Sequence, residues 1–380
     1  MPADLCKLSA TACFRVYDIQ MIRAVVLSLC VIVSLSLGVF LGLQIAKNHQ
    51  WFTDHLVSPL KIGSELTKPQ VLPLTQLSIP ELQKREFSPG ALKIIDVGEP
   101  EVGFSKYLFQ FETLGKKMTG QLNIPDAVDT ENPPATILLL RGYVPIESYT
   151  TGVSTKNAAA RFARAGYITI APDFFGYGQS DPEPEDPWQA RFEKPAIIAE
   201  LLRTITSGVP ITPTGDVITP KDVGIWAHSN GGQIAITTLE VLKESHPTTL
   251  WAPVTAPFPY SILYFGDEVA DEGKSQRAWI ALFEREYDVH QFTHTQFLQD
   301  LRGPLQFQQG TIDDAVPFFW TEEFIDKLEL ENLRRNENAS APAKIEFSYY
   351  KYPGADHNLL GAWENAVQRD LDFFAKYLDR

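Results

Sequence analysis

Cysteine is nearly missing from this chain. Its 380 residues hold three, Cys6, Cys13 and Cys30, all before residue 31. Beyond that point no internal disulfide, thiolate zinc site or cysteine nucleophile can form. Basic charge is also short, with 33 Lys and Arg against 47 Asp and Glu, a net of −14. Without a basic stripe to neutralise phosphates, nucleic acid is excluded as a partner. No internal repeat is present. The one low-complexity patch, Asp181 to Asp186, reads as a solvated loop. What remains is ordinary: 44% hydrophobic and 21% charged residues describe a globular protein with a substantial core.

The chain has one long charge-free run, Ala24 to Ala46. As a helix it would be about 34 Å long, enough to cross a hydrocarbon layer of roughly 30 Å. It is longer than a typical signal-peptide core, and Gln44-Ile45-Ala46 is a poor cleavage site. Leu29 is too large to precede a lipidated Cys30. The expectation is an uncleaved membrane anchor, with a cleaved signal peptide as the alternative. Lys7, Arg15 and Arg23 before the span give a slight positive-inside bias. That bias makes residues 1–23 a cytoplasmic tail and the rest a single-pass, extracytoplasmic domain. Residues 47–90, with Pro59, Pro69, Pro73, Pro80 and Pro89, read as a linker with one short helix capped at Ser78.

From residue 91 to 380, strands and helices alternate. Val102–Phe111 and Lys117–Ile124 read as a hairpin. Ala135–Leu140, Tyr167–Ala171, Val223–Ala227, Thr249–Ala252, Leu305–Gln308 and Lys344–Tyr350 read as further strands. Helical patterns cover Ala158–Ala165, Pro195–Thr206, Ile234–Leu242 and Ala362–Tyr377. Continuous apolar strands alternating with amphipathic helices predict an α/β fold, a mostly parallel sheet covered on both faces. Catalytic groups then belong at the carboxyl ends of the strands. The segment 253–302 is too long for a simple crossover and carries Phe258, Tyr260, Tyr264, Phe265, Trp279 and Phe283. A helical cap over the site accounts for both its length and its aromatics.

Between a strand and a helix stands Trp226-Ala227-His228-Ser229-Asn230-Gly231-Gly232-Gln233. A serine with small residues at minus two and plus two, on a strand-to-helix turn, has the pattern of a nucleophile elbow. The alternative is a serine serving only as helix N-cap. Gly231-Gly232 weakens a helix start, so close backbone approach is the better reason for both glycines. A serine nucleophile needs a base, and the base needs an orienting acid. Of seven histidines, only His357 follows a late strand, in Gly354-Ala355-Asp356-His357. His228 lies beside the serine and is expected to point elsewhere. The acid should leave the preceding strand, where Gly310-Thr311-Ile312-Asp313-Asp314 offers two aspartates. Asp356 is a poor orienter, because adjacent side chains diverge. Asp173 is expected to shape its own loop. For the oxyanion, the backbone N–H of Asn230 is one expected donor. The N–H of Tyr143, in the loop Arg141-Gly142-Tyr143, is the other. No metal or cofactor is required.

These motifs resemble the α/β-hydrolase superfamily over residues 91–380. Ser229-Asn230-Gly231-Gly232, Gly310 to Asp314 and Gly354 to His357 look most like the prolyl oligopeptidase catalytic domain and dienelactone hydrolase-like esterases. The resemblance implies Asp313 as the triad acid. Ala227, Arg141 and Gln309 depart from the usual glycine and histidines, and residues 47–90 are too few for the peptidases' propeller. The resemblance implies a serine peptidase, or alternatively a carboxylesterase, acting on a small ester or short peptide. An acyltransferase and an inactive binding module are the rivals.

Overall fold

The computed structural model describes residues 72–266 and 271–378. The expected tail and the charge-free run 24–46 lie outside them. Among the described residues, no helix is long and apolar enough to cross a membrane.

Residues from 71 onward form one compact unit. It opens with a 3-10 turn, Pro73–Leu77, and a short helix α1, Ile79–Leu82. The expected linker is therefore packed in its second half. Leu74, Leu77, Ile79 and Leu82 are buried, because each finds an apolar partner on later elements. Leu77 joins Phe192, Phe258 and Phe283. Ile79 and Leu82 join Ala196 and Val241.

The sheet has nine strands in the order β1-β2-β3-β5-β4-β8-β9-β10-β11. Strands β1 (Leu92–Val97), β2 (Phe104–Thr113) and β3 (Lys116–Pro125) form an antiparallel edge. β3 pairs antiparallel with β5 (Ile168–Pro172). From β5 the sheet runs parallel through β4 (Thr136–Leu140), β8 (Val223–His228), β9 (Thr248–Trp251), β10 (Leu305–Gly310) and β11 (Phe347–Tyr352). A two-stranded ribbon of β6 (Val209–Pro210) and β7 (Val217–Ile218) stands apart. The strand order turns back between β4 and β8, the crevice where ligands bind in open α/β sheets.

Helices α2 (Lys156–Arg164), α3 (Pro187–Phe192), α4 (Lys194–Ser207), α5 (Asn230–Leu242), α6 (Tyr260–Leu263), α7 (Lys274–Glu286), α8 (Phe318–Glu337) and α9 (Trp363–Tyr377) complete the order. Alternation along β4 feeds both faces. Leu138 and Leu140 pack with Ile198 and Leu202 of α4, Leu239 of α5 and Phe324 of α8. Ile137 and Leu139 pack with Phe162 of α2 and Phe374 of α9. The doubly covered parallel sheet is the expected α/β-hydrolase fold.

The segment 253–302 contributes α6, α7 and three 3-10 turns. Its Phe258, Phe283 and Phe292 join Trp188 and Phe192 of α3 in an aromatic cluster. Phe192 and Phe292 have ring centroids 4.7 Å apart, and Phe258 stands edge-on to Phe192 at 5.2 Å.

Candidate active site

β8 ends at His228, and α5 begins at Asn230. Ser229 alone makes the turn, with φ 56° and ψ −124°. A non-glycine residue in such a region carries about 1–3 kcal/mol of strain, held by its surroundings. Here the surroundings are backbone hydrogen bonds. The Ser229 N–H donates to Trp251 O at 2.9 Å, and Val254 N–H donates to Ser229 O at 3.0 Å. The Ser229 hydroxyl makes no capping bond to the helix, so the N-cap alternative finds no support. Close approach explains both glycines. A methyl built at Gly231 would lie 2.2 Å from Leu140 O, and one at Gly232 would lie 2.5 Å from Pro253 Cβ.

His357 lies in the loop after β11, and its Nδ1 is 2.9 Å from Asp313 Oδ2. The Asp313 side chain is fully buried. Its Oδ1 accepts from the amides of Ala315 (3.0 Å) and Val316 (2.7 Å). Its Oδ2 also accepts from Gln309 Nε2 at 2.8 Å. Gln309 in turn accepts a hydrogen bond from Thr321 Oγ1, so the glutamine in place of a histidine braces the acid. Asp314 is exposed and makes no bond to His357 among the described residues. Asp356 accepts from Asn358 and Leu360 amides and shapes the loop. The two loops are stitched together by Ile312 N–H to Ala355 O and Thr311 N–H to Tyr352 O, both 3.1 Å.

His228 turns toward the histidine loop, and among the described residues it makes no side-chain hydrogen bond to Ser229. Its ring centroid is 4.7 Å from that of His357, and its Nε2 lies 3.0 Å from the His357 carbonyl. A carbonyl only accepts, so Nε2 carries the proton. Burial first, and then the neighbouring His357, push the His228 imidazole down to about 4. It is neutral at pH 7 and fixes the backbone of the histidine loop. Residue spacing alone gives no sign of this contact.

The loop after β4 lies against the serine. A methyl built at Gly142 would stand 2.8 Å from Ser229 Cβ and 3.3 Å from its Oγ. Arg141 holds this loop from below. Nη1 donates to Gly142 O at 2.9 Å, and Nη2 donates to Asp173 O at 2.8 Å. The guanidinium also covers the rings of Tyr177 (4.0 Å) and Tyr149 (4.7 Å). Asp173 is fully buried and accepts from Thr119, Tyr149 and Thr151 hydroxyls, as a loop-shaping residue should. The Tyr143 side chain is exposed. Asn230 opens α5, in the turn whose N–H groups have no intrahelical acceptor.

Ser229, Asn230, Tyr143 and His357 all border one cavity of about 880 Å³. Its walls include Trp188 of α3 and, from the segment 253–302, Ile262, Phe265 and Trp279. Leu77, Ile79 and Leu82 line it as well. Among the described residues, no cluster of His, Cys, Asp and Glu could hold a metal ion.

Fold and site together define a serine hydrolase of the α/β-hydrolase class. Residues 112–248 match the family model described as "Putative esterase". No curated protein matches the chain. Among solved structures, acetyl xylan esterase 1 from Thermoanaerobacterium sp. JW/SL YS485 is similar at 13% identity. That likeness covers 80% of this chain and 99% of the other, with a TM-score of 0.52. An acetyl xylan esterase from Paenibacillus sp. R4 is similar at 12% identity, covering 79% and 99%, with a TM-score of 0.51. The family match is to esterases. It favours the esterase alternative over the peptidase expected first from the Gly310–Asp314 run.

Proposed function

We propose that this chain is a carboxylic ester hydrolase working through an acyl-enzyme. The observation that carries this reading is His357, held by the buried Asp313 at 2.9 Å and bordering the same cavity as the strained Ser229. Ser229 Oγ attacks the ester carbonyl, and His357 Nε2 takes the hydroxyl proton and passes it to the leaving alkoxide. Asp313 fixes the tautomer that leaves Nε2 free to do so. Water, activated by the same imidazole, then releases the acid. The amides of Asn230 and Tyr143 are the oxyanion donors. The close fit of Gly142 against Ser229 supports this assignment of the β4 loop. Small acyl esters are the substrate class, as the esterase match suggests.

The test is labelling by a fluorophosphonate, together with a comparison of p-nitrophenyl esters and aminoacyl anilides. Labelling that disappears in Ser229→Ala, with turnover confined to the esters, is the expected result. Folded protein that neither labels nor hydrolyses esters refutes it. The charge-free run 24–46 supports an anchored form of the enzyme, tested by whether alkaline washing releases the full-length chain from membranes.

A further inference from the structure

The cavity beside Ser229 is apolar on most of its wall and cationic at one place. Arg191, on α3, borders it, and so does Gln233, one turn along α5 from Ser229. Arg191 Nη2 donates to Gln233 Oε1 at 2.6 Å. The guanidinium stands 5.9 Å from the centre of the Phe258 ring. Among the described residues, no carboxylate lies within ion-pair distance of it. The other cation on the wall, Lys194, has Glu183 at 3.5 Å. Lys194 and Glu183 balance each other, and the charge on Arg191 is left over.

That arrangement is unusual for a structural arginine. A guanidinium has five N–H donors in a fixed fork, shaped for a carboxylate. Gln233 accepts from one nitrogen of that fork. Arg335, the buried structural arginine of α8, shows the contrast. It has Glu331 at 3.0 Å and also donates to carbonyls of Ala343, Leu298 and Leu301. Arg191 has neither a carboxylate nor a backbone carbonyl among the described residues. Burial pushes its pKa down to about 10, so it stays protonated at neutral pH and keeps its need for a counter-charge.

We propose that Arg191 is the subsite for an anionic group on the substrate, so that the preferred esters carry a carboxylate a few atoms from the scissile carbonyl. This rests on the esterase reading and adds the substrate class to it. The position sets the spacing. Gln233 follows Ser229 by four residues, or about 6 Å along the helix axis. A carboxylate held by Arg191 beside Gln233 therefore sits several bonds from the attacked carbon. The aromatic wall of Trp188, Phe265 and Trp279 covers the hydrocarbon between the two ends. Half-esters of medium-chain dicarboxylic acids fit this description: neutral at the scissile end, apolar in the middle and anionic at the far end.

The experiment compares mono-4-nitrophenyl suberate with 4-nitrophenyl octanoate, matched in length and different in charge. A charge-assisted pair is worth about 10- to 100-fold in binding. The wild-type enzyme is expected to favour the anionic ester by that factor in kcat/KM, mostly through KM. Arg191→Gln is expected to bring the ratio of the two esters to about one, and Arg191→Lys to keep part of it. Gln233→Glu, which supplies an internal carboxylate to the same guanidinium, is expected to bring the ratio down as well. A wild-type ratio near one overturns the proposal. So does an equal loss for both esters in Arg191→Gln, since that marks a residue that only supports the cap.

Binding separates this result from the fate of the esterase reading. Calorimetric titration of Ser229→Ala with monomethyl suberate needs no turnover. Binding that is lost on adding Arg191→Gln supports the subsite even if ester hydrolysis fails. Equal binding with and without Arg191 refutes it even if hydrolysis is vigorous.

Discussion

One methyl group added at Gly142 should disable the enzyme without unfolding it. The new carbon would lie 2.8 Å from Ser229 Cβ and 3.4 Å from His228 Nδ1. Carbon atoms in contact prefer about 3.5–4.0 Å, so something must yield by roughly 0.7–1.2 Å. Ser229 cannot retreat easily, because its N–H and carbonyl are tied to Trp251 and Val254. The mobile partner is the β4 loop itself, which carries the Tyr143 amide away from the oxyanion. A displacement near 1 Å in a catalytic array costs about 10²-fold in rate, and loss of one oxyanion donor costs 10²–10³-fold. The expected result for Gly142→Ala is a kcat on p-nitrophenyl acetate lower by about 10²-fold, or about 2.7 kcal/mol of barrier. KM should change by less than threefold, and the melting temperature by a few degrees. A folded variant with kcat within threefold of wild type would refute the placement of the oxyanion donors on this loop.

Other expectations follow from the same contacts. Asp313→Asn presents an amide to three donors and the wrong tautomer to His357, and should lower kcat by about 10³–10⁴-fold, whereas Asp314→Asn should stay within twofold; equal effects would overturn the choice of acid. Arg141→Lys loses the forked pair of bonds to Gly142 and Asp173 carbonyls and should cost about tenfold in kcat, read on the same ester. His228 is held near 4 by burial and by His357, below its unfolded value of about 6.5. The unfolded chain therefore binds the extra proton first, and stability present above pH 6.5 is lost as pH falls toward 4, by up to about 3 kcal/mol from this group. Denaturant titrations of His228→Asn should show a shallower slope over that window, and an unchanged slope would contradict it. Leu82→Ala should cost about 2–4 kcal/mol in urea unfolding, because the side chain is 1% exposed against the core; a cost below about 0.5 kcal/mol would return residues 72–90 to a linker.

The sequence was legible where chain-local physics dominates. The tight turn at Ser229 announces itself through Ala227, Gly231 and Gly232, since only small residues allow the backbone contacts with Leu140 and Pro253. Strands buried on both faces, such as Ile137 to Leu140, read as continuous apolar runs. Legibility fails where packing chooses. α8 went unread because Phe319, Leu330 and Leu333 stay exposed while Trp320, Phe324 and Leu328 are buried, which blurs the helical period. β1 is an edge strand whose register shifts between Ile94 and Asp96, so its alternation breaks. The cavity wall draws on Leu77, Trp188, Ile262 and Val316, four segments joined only by tertiary structure. The approach of His228 at the end of β8 to the His357 loop, and of Arg191 on α3 to Gln233 on α5, joins segments far apart in sequence and leaves no mark in residue spacing.

Acylation of Ser229 tests the central claim most directly. Brief exposure to p-nitrophenyl acetate, an acid quench and peptide mass analysis should show one acetyl group on the peptide containing Ser229. Its amount should match the burst of nitrophenolate, and it should vanish in Ser229→Ala. Undiminished ester hydrolysis by Ser229→Ala, or an acetyl group found elsewhere on the chain, would contradict the account.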